Sequence, residues 1–292
     1  MSNSLTTVVS SKTVTVEIHR EKATTIIGER INPTGRKKML KALQAGDFDM
    51  VRQDALAQVA AGAKILDVNA GVPGADEEAL LKQVLQTVME TVDVPLCIDT
   101  ADPLALEAAL KTYEGKALIN SVNGEERSLE AILPLVKEYG AAVIGLCMDD
   151  DGIPATVDDR LKVATKIIER AAKLGIGPED IVIDPLALTM GADHTAGFLA
   201  MQTIERIVVE FGVNITMGAS NISFGMPDRK HINSTFIAMS IHAGLTCPIT
   251  NPLEEEIAIA VLAADLSMGR DEYGMNWIKA YRKRQKEQAE NE

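Results

Sequence analysis

The chain has 292 residues, of which 29 are basic and 42 are acidic, so its formal net charge is −13. Apolar residues make up 46% of the chain and charged residues 24%, which is typical of a globular protein and excludes a disordered or collagen-like chain. The excess of acidic residues argues against a nucleic-acid or anionic-membrane surface, because such surfaces need an excess of lysine and arginine. We therefore expect neutral or locally steered ligands, or protein partners.

The cysteines and the N-terminal segment indicate the compartment. Cys97, Cys147 and Cys247 are odd in number and show no CxxC spacing, which favours buried small apolar side chains over disulfides or a thiolate zinc site. The first 25 residues contain no continuous apolar run typical of a signal peptide, and no stretch of 18 apolar residues occurs. These features predict a soluble, cytoplasmic protein.

Short apolar runs alternate with helix-length segments along the chain, at intervals of about 20 to 40 residues. The eight runs begin at Thr24, Lys64, Pro95, Ala117, Ala142, Ile181, Asn214 and Cys247. Continuous apolar runs of this length suit parallel strands that are covered on both faces. The alternation predicts the α/β class and one (β/α)8 TIM barrel. A doubly wound open sheet is the alternative, but the GxGxxG and GxxxxGK[ST] turns are missing.

Domain limits and helix starts follow from the same pattern. We expect an N-terminal extension over residues 1–23, with a hairpin across the barrel bottom, a barrel over 24–270, and a charged helical tail over 271–292. Thr156 and Asp102 are predicted to cap the helices that follow them, the second with a proline at its first position. Asn251 before Pro252 predicts a third helix start, with Glu254 at the capping-box distance.

Polar residues end nearly every predicted strand, and the strand ends of a barrel converge on one mouth. They are Glu29, Arg30, Asn32, Asp67, Asn69, Asp99, Asn120, Asp184, Ser220, Asn221 and Asn251. No histidine is among them, so a histidine-based metal site or a Ser-His-Asp triad has little support. The three aspartates could suggest a magnesium site, but the carboxamides between them favour hydrogen bonding, and we expect no protein-bound metal.

Carboxylates and carboxamides together match the edge of a flat heterocycle. A carboxylate accepts two adjacent N–H groups, and an amide both donates and accepts. With five Phe, four Tyr and one Trp in the chain, such a ligand must be held mainly at its polar edges. The strand ends thus predict a site for a pterin or a purine. Turn formation or helix capping is the alternative role for each residue, above all for Asn251.

The strand-end segments resemble, in order, those of one enzyme family. They are IGERINPTG from Ile27, LDVN from Leu66, CIDT from Cys97, LINSVN from Leu118, GLCM from Gly145, IDPL from Ile183, GASNISFG from Gly218 and INSTF from Ile232. Together they resemble the pterin-binding domain shared by cobalamin-dependent methionine synthase and the methyltetrahydrofolate:corrinoid protein methyltransferases. The resemblance covers about residues 24–270.

The resemblance implies roles for eight residues. It implies that Asp99, Asn120 and Asp184 hold the aminopyrimidine edge of the pterin, and that Asn221 contacts N5, the nitrogen that carries the methyl group. Asp67 and Asn69 resemble further pocket residues, and Arg229 a nearby basic contact. Phe224 stands where methionine synthase carries a Phe and some corrinoid-protein methyltransferases carry a Gln.

It also implies an activity. The family moves a methyl group between tetrahydrofolate and cobalamin held by a corrinoid protein, and this chain lacks segments resembling the cobalamin and homocysteine domains. We expect a methyltransferase that forms methyltetrahydrofolate in a demethylation pathway of the O-demethylase or glycine betaine type, as a homodimer docking a separate corrinoid protein. The alternatives are methyltetrahydrofolate as donor to a corrinoid iron-sulfur protein, dihydropteroate synthase, and a non-catalytic pterin-binding subunit.

Overall fold

The computed structural model describes residues 4–291. A short antiparallel hairpin comes first, formed by β1 (Thr7–Ser10) and β2 (Thr15–Ile18). Eight parallel strands follow and close into a barrel in chain order, with the last strand paired to the first. These strands are β3 (Ile27–Ile31), β4 (Ile65–Asn69), β5 (Leu96–Asp99), β6 (Leu118–Asn123), β7 (Ala142–Leu146), β8 (Ile181–Asp184), β9 (Asn214–Gly218) and β10 (Cys247–Thr250). The predicted TIM barrel is confirmed, and the open sheet is excluded.

Helices surround the barrel. They are α1 (Lys37–Gln44), α2 (Asp49–Ala60), α3 (Glu77–Thr91), α4 (Pro103–Thr112), α5 (Glu126–Tyr139), α6 (Val157–Lys173), α7 (Ala196–Phe211), α8 (Arg229–Ala243), α9 (Glu255–Ser267) and α10 (Met275–Asn291). One buried apolar cluster lies between strands and helices, and a second fills the barrel interior. Within residues 4–291, no helix combines the length and the hydrophobicity needed to cross a membrane.

Two of the three predicted helix starts are confirmed. Asp102 caps α4 by accepting the Leu104 N–H at 2.9 Å, and Thr156 caps α6 by accepting the Asp159 N–H at 3.2 Å. The prediction for Asn251 was wrong. Its side chain accepts the N–H of Leu253 at 3.2 Å and closes a turn, and α9 begins only at Glu255. A side-chain cap and a turn share the same local hydrogen bond, so the sequence pattern does not separate them.

The hairpin covers the bottom of the barrel, as the sequence predicts. Val9 and Ile18 are fully buried in the interior cluster. Asn214, at the start of β9, holds the hairpin to the barrel: its amide nitrogen lies 2.9 Å from the Ile18 carbonyl oxygen and 3.0 Å from the Thr7 hydroxyl. Among residues 4–291, the hairpin thus covers the amino-terminal end of the barrel, and the carboxyl ends of the strands lie at the opposite end.

The prediction that the cysteines are buried small apolar side chains is confirmed. Cys97, Cys147 and Cys247 are free and buried. Cys97 and Cys247 belong to the interior cluster, while Cys147 packs in the outer one.

Candidate functional site

Strand alternation aims the predicted residues into the barrel. Successive side chains of a strand point to opposite faces, so a residue two positions after an interior residue also faces the interior. The interior cluster contains Ile27, Ile65, Cys97, Leu118 and Val182. The residues two positions further along those strands are polar: Glu29, Asp67, Asp99, Asn120 and Asp184. The apolar floor of the barrel therefore gives way to a polar layer at its mouth.

Strand register brings two of these residues, Asp99 and Asn120, into one row with Asn69, which lies two positions after Asp67 on β4. Asn69 on β4 is opposite Asp99 on β5, and Asp99 is opposite Asn120 on β6. The Asn69 amide donates to Oδ2 of Asp99 at 3.0 Å. The other Asp99 oxygen has no such side-chain bond among the described residues. A cavity of about 410 Å³ opens beside Asp99 and Asn120, a volume in the range of small-ligand pockets.

Asp67 lies one layer below this row. It is only 3% exposed, and its Oδ1 accepts the Asn120 amide at 3.1 Å. Burial, and next the nearby Asp99 carboxylate, raise the pKa of Asp67 well above its usual range. Burial also raises the pKa of Asp99 to about 6. Asp67 thus fixes the Asn120 amide from below, while Asp99 faces the cavity.

Asp184 ends β8, between β7 and β9, and belongs to the same polar layer. Its side chain is 6% exposed, and Oδ1 accepts the N–H of Leu186 at 2.7 Å. Burial raises the pKa of Asp184 to about 6, against the opposing effects of hydrogen bonds from the Leu186 and Gly218 N–H groups and of the Arg160 charge. Two carboxyl groups with a pKa near 6 therefore face one mouth, and both are mainly ionised above neutral pH.

Asn221 lies above the mouth in a short 3-10 helix, Ala219–Ser223, that follows β9. Its side chain is exposed and folds back over the strand end: a Cβ atom on Gly218 would lie 3.1 Å from the Asn221 amide nitrogen. Among the described residues, the Asn221 side chain makes no hydrogen bond that a ligand at the mouth would have to displace.

Two neighbours anchor that 3-10 helix. The Ser220 hydroxyl donates to Oε1 of Glu29 at 3.0 Å, across from β9 to β3. Arg229 donates from Nη2 to the Ser220 carbonyl oxygen at 2.7 Å and from Nε to the Ser223 hydroxyl at 3.0 Å. Burial raises the pKa of the Glu29 carboxyl group. These bonds hold Ser220 and Ser223, which lie on either side of Asn221 in the 3-10 helix.

Phe224 and Arg229 lie outside the polar row. Phe224 is 68% exposed, and the Arg229 guanidinium carbon lies 5.9 Å from the centre of its ring, within cation–π distance. The Arg229 side chain makes its hydrogen bonds to the 3-10 helix, so its predicted contact with the ligand stays a prediction. Phe224 stands at the rim, where a ligand or a docked partner could cover it.

Two residues of this region, Glu29 and Arg160, are not among the predicted site residues. Glu29 follows a predicted strand, and its position two residues after the interior residue Ile27 is the signal that it faces the interior. Arg160 is the second: it shares a helical stripe with Ala164, Ile167 and Ala171, all fully buried. A charged residue on such a stripe signals a specific buried partner. Among the described residues, no group of three or more His, Cys, Asp or Glu side chains is arranged to hold a metal ion.

A family model and two known proteins match most of this chain. A family model described as pterin binding enzyme matches residues 28–251. A methylcorrinoid:tetrahydrofolate methyltransferase from Eubacterium limosum is 33% identical over 260 residues, which cover 88% of this chain and 96% of that protein. The methionine synthase of Mycobacterium tuberculosis is 29% identical over 256 residues, which cover 83% of this chain and 22% of that protein.

Solved structures agree on the architecture. The dihydropteroate synthase of Yersinia pestis superposes with a TM-score of 0.66 over 90% of this chain and 99% of its own, at 16% sequence identity. The enzyme of the same name from Vibrio fischeri gives a TM-score of 0.65, also at 16% identity. At this level of identity the likeness concerns the fold.

Proposed function

Because the chain belongs to the pterin-binding enzyme family, we propose that it is a methyltransferase that moves a methyl group from a methyl-corrinoid protein to N5 of tetrahydrofolate. The observation that carries the proposal is the row of Asn69, Asp99 and Asn120 beside an open cavity. The Eubacterium limosum relative, matched over nearly its whole length, supports the reaction and its direction by its name.

The polar layer suits the aminopyrimidine edge of the pterin. That edge presents adjacent N–H donors and ring acceptors, and ionised Asp99 and Asp184 supply paired acceptors while Asn120 can both donate and accept. The Asn69 amide donates a hydrogen bond to Asp99, and Asp67 accepts one from the Asn120 amide. We assign Asp99, Asn120 and Asp184 to direct pterin contact, and Asp67 and Asn69 to shaping the same pocket.

Asn221 is the residue we assign to N5. Methyl transfer is a displacement in which the N5 lone pair attacks the methyl carbon, the cobalt–carbon bond breaks with its electron pair left on cobalt, and the N5 proton passes to solvent. The partner's corrinoid supplies the methyl group as substrate. The protein's task is to align N5 with that carbon and to stabilise the charge that develops on nitrogen. A neutral amide can do so without a titrating side chain.

The rim of the barrel is where a large partner must dock. A corrinoid carries the methyl group on the metal, so the partner protein has to approach the mouth over Asn221 and exposed Phe224. Arg229 stiffens this part of the rim through its bonds to the 3-10 helix. We propose that the original methyl donor belongs to a demethylation pathway of the O-demethylase or glycine betaine type, and that the enzyme acts as a homodimer, which analytical ultracentrifugation tests.

The activity is tested by mixing the purified protein with tetrahydrofolate and methylcobalamin, without oxygen, and following the cobalt spectrum. A methylated corrinoid protein serves as a second donor. We expect the methyl-cobalt absorbance to be lost in a protein-dependent manner. Tetrahydrofolate binding without methyl exchange in either direction would instead support a non-catalytic pterin-binding subunit.

A further inference from the structure

Arg160 is a buried cation outside the polar row. It lies in the first turn of α6, on the outer side of the barrel, and is 1% exposed. Within the part of the chain that the structure describes, its hydrogen-bond partners are carbonyl oxygens and not a carboxylate. A buried guanidinium group loses much hydration, so the protein has to supply hydrogen-bond acceptors for it, and those acceptors identify the segment that Arg160 holds in place.

The hydrogen bonds of Arg160 converge on the turn that follows β8. Nη1 donates to the carbonyl oxygens of Pro185 at 2.8 Å and Leu186 at 2.9 Å, while Nε donates to the Pro154 carbonyl oxygen at 3.0 Å. The first two carbonyls belong to the peptide groups on either side of Leu186. A single nitrogen that binds both of them restricts the rotation of both peptide groups.

Leu186 has a backbone conformation that needs such support. Its φ angle is +65°, in the left-handed region that a leucine side chain disfavours. In this conformation the Leu186 N–H turns back and donates to Oδ1 of Asp184 at 2.7 Å. Arg160, Leu186 and Asp184 therefore form one chain of contacts, from the outer helix to the carboxylate at the mouth.

Arg160 also acts on Asp184 through its charge. The groups that act on this carboxylate are Arg160 from α6, the Cys147 thiol directly after β7, the Cys247 thiol from β10, and the N–H groups of Leu186 and Gly218. Burial raises the pKa of both thiols, so they are neutral near pH 7. Arg160 is the cation of this set, and it opposes the rise that burial causes in the pKa of Asp184.

We propose that Arg160 is a positioning residue for pterin recognition: it holds the Pro185–Leu186 turn in the conformation that aims Asp184 into the mouth, and it places a buried positive charge behind that carboxylate. The inference rests on the proposed function for the identity of the ligand. Its test uses binding alone, so it is independent of whether methyl transfer occurs.

The test compares Arg160→Met and Arg160→Lys with the wild-type protein. Tetrahydrofolate binding is measured by calorimetry, without oxygen, at pH values on both sides of about 6. We expect Arg160→Met to weaken binding roughly tenfold at neutral pH and to move the midpoint of its pH dependence upward, because Asp184 then holds its proton to higher pH. Arg160→Lys keeps the charge but not the fixed donor geometry, so we expect weaker binding with an unchanged midpoint.

Arg170→Met is the matched control. Arg170 lies on the same helix and pairs with Glu126 at the surface, so this change should leave affinity and midpoint unchanged. A folded Arg160→Met variant with wild-type affinity and midpoint would overturn the proposal. If that variant does not fold, wild-type affinity in Arg160→Lys has the same meaning. Wild-type protein that binds tetrahydrofolate but transfers no methyl group contradicts the proposed reaction and leaves this comparison intact.

Discussion

The Asn69 amide and the Asp99 carboxylate, on adjacent strands, are joined by a 3.0 Å hydrogen bond to Oδ2 of Asp99, and Asp99 lines the cavity at the mouth. The bond orients the carboxylate before any ligand arrives. It also lowers the pKa of Asp99, against the larger effect of burial, which raises it. A carboxylate that is already oriented and ionised binds a flat N–H edge at a smaller entropic cost.

Removing that bond should move the pH dependence of binding. In Asn69→Ala, Asp99 loses a group that favours its charged form, so its pKa should rise above about 6 and tetrahydrofolate binding should weaken several-fold at neutral pH. The wild-type affinity should be recovered in part at higher pH. Calorimetric titrations at several pH values check this, with exposed Asn276→Ala as control. An unchanged midpoint would refute the link between Asn69 and Asp99 ionisation.

Asp184→Asn should stabilise the free protein while weakening pterin binding. Burial raises the pKa of Asp184 from 3.8 to about 6, so the folded chain binds this proton more tightly than the unfolded chain does. The ionised carboxylate therefore opposes folding above about pH 6, and this cost disappears as the pH falls towards 4. Asparagine removes the charge and can still accept the Leu186 N–H.

The expected gain for Asp184→Asn is about 1 to 3 kcal/mol in the free energy of unfolding at about pH 8, and little at about pH 4. Denaturant unfolding at the two pH values measures it. Asp193→Asn is the control, because Asp193 is exposed and its pKa is lowered, mainly by its bond to Thr195. Equal effects of the two substitutions on stability would show that burial of Asp184 is not the cause.

Asn221→Ala should slow methyl transfer much more than it weakens pterin binding. The Asn221 side chain is exposed in the free protein, so its loss should leave stability nearly unchanged. A lost hydrogen bond to the reacting nitrogen is expected to reduce the rate by about a hundredfold. Single-turnover kinetics and equilibrium binding separate the two effects, with Asn69→Ala as the comparison that acts on binding. If Asn221→Ala changes only affinity, its assignment to N5 is wrong.

Asn214→Ala should destabilise the protein without changing the chemistry. The Asn214 amide holds the N-terminal hairpin against the barrel bottom, and its loss leaves the Ile18 carbonyl and the Thr7 hydroxyl without that donor. We expect a loss of about 2 kcal/mol in the free energy of unfolding. The transfer rate of the folded protein should stay at the wild-type value because the mouth lies at the opposite end. A slower transfer rate at full folding would show that the hairpin communicates with the site.

The barrel and most of the polar layer could be predicted from the sequence, for a physical reason. Most barrel strands begin with apolar residues, and the polar residue two positions after an interior apolar residue faces the interior as well, as Asp99 follows Cys97, Asn120 follows Leu118 and Asp184 follows Val182. The left-handed backbone at Leu186 and the bonds of Arg160 to its neighbours arise from packing between distant segments. Such tertiary relations leave only an indirect trace in sequence, here a charged residue on an apolar stripe.

Local capping patterns were less informative. Asn251 and Thr156 precede helices with similar signals, yet only Thr156 caps one directly. Pro252 and Leu253 complete a turn after Asn251 before α9 begins. The two outcomes differ in how the chain leaves the barrel, which the local sequence does not encode.

The most direct measurement follows the methyl carbon itself. Methylcobalamin labelled with carbon-13 in its methyl group is incubated with tetrahydrofolate and the protein, without oxygen, and the products are analysed by NMR spectroscopy and mass spectrometry. We predict that the label appears on N5 of tetrahydrofolate with the wild-type protein, and far more slowly with Asn221→Ala although that variant binds tetrahydrofolate. A label that stays on cobalt while tetrahydrofolate is bound, with a methylated corrinoid protein tested as second donor, would contradict it.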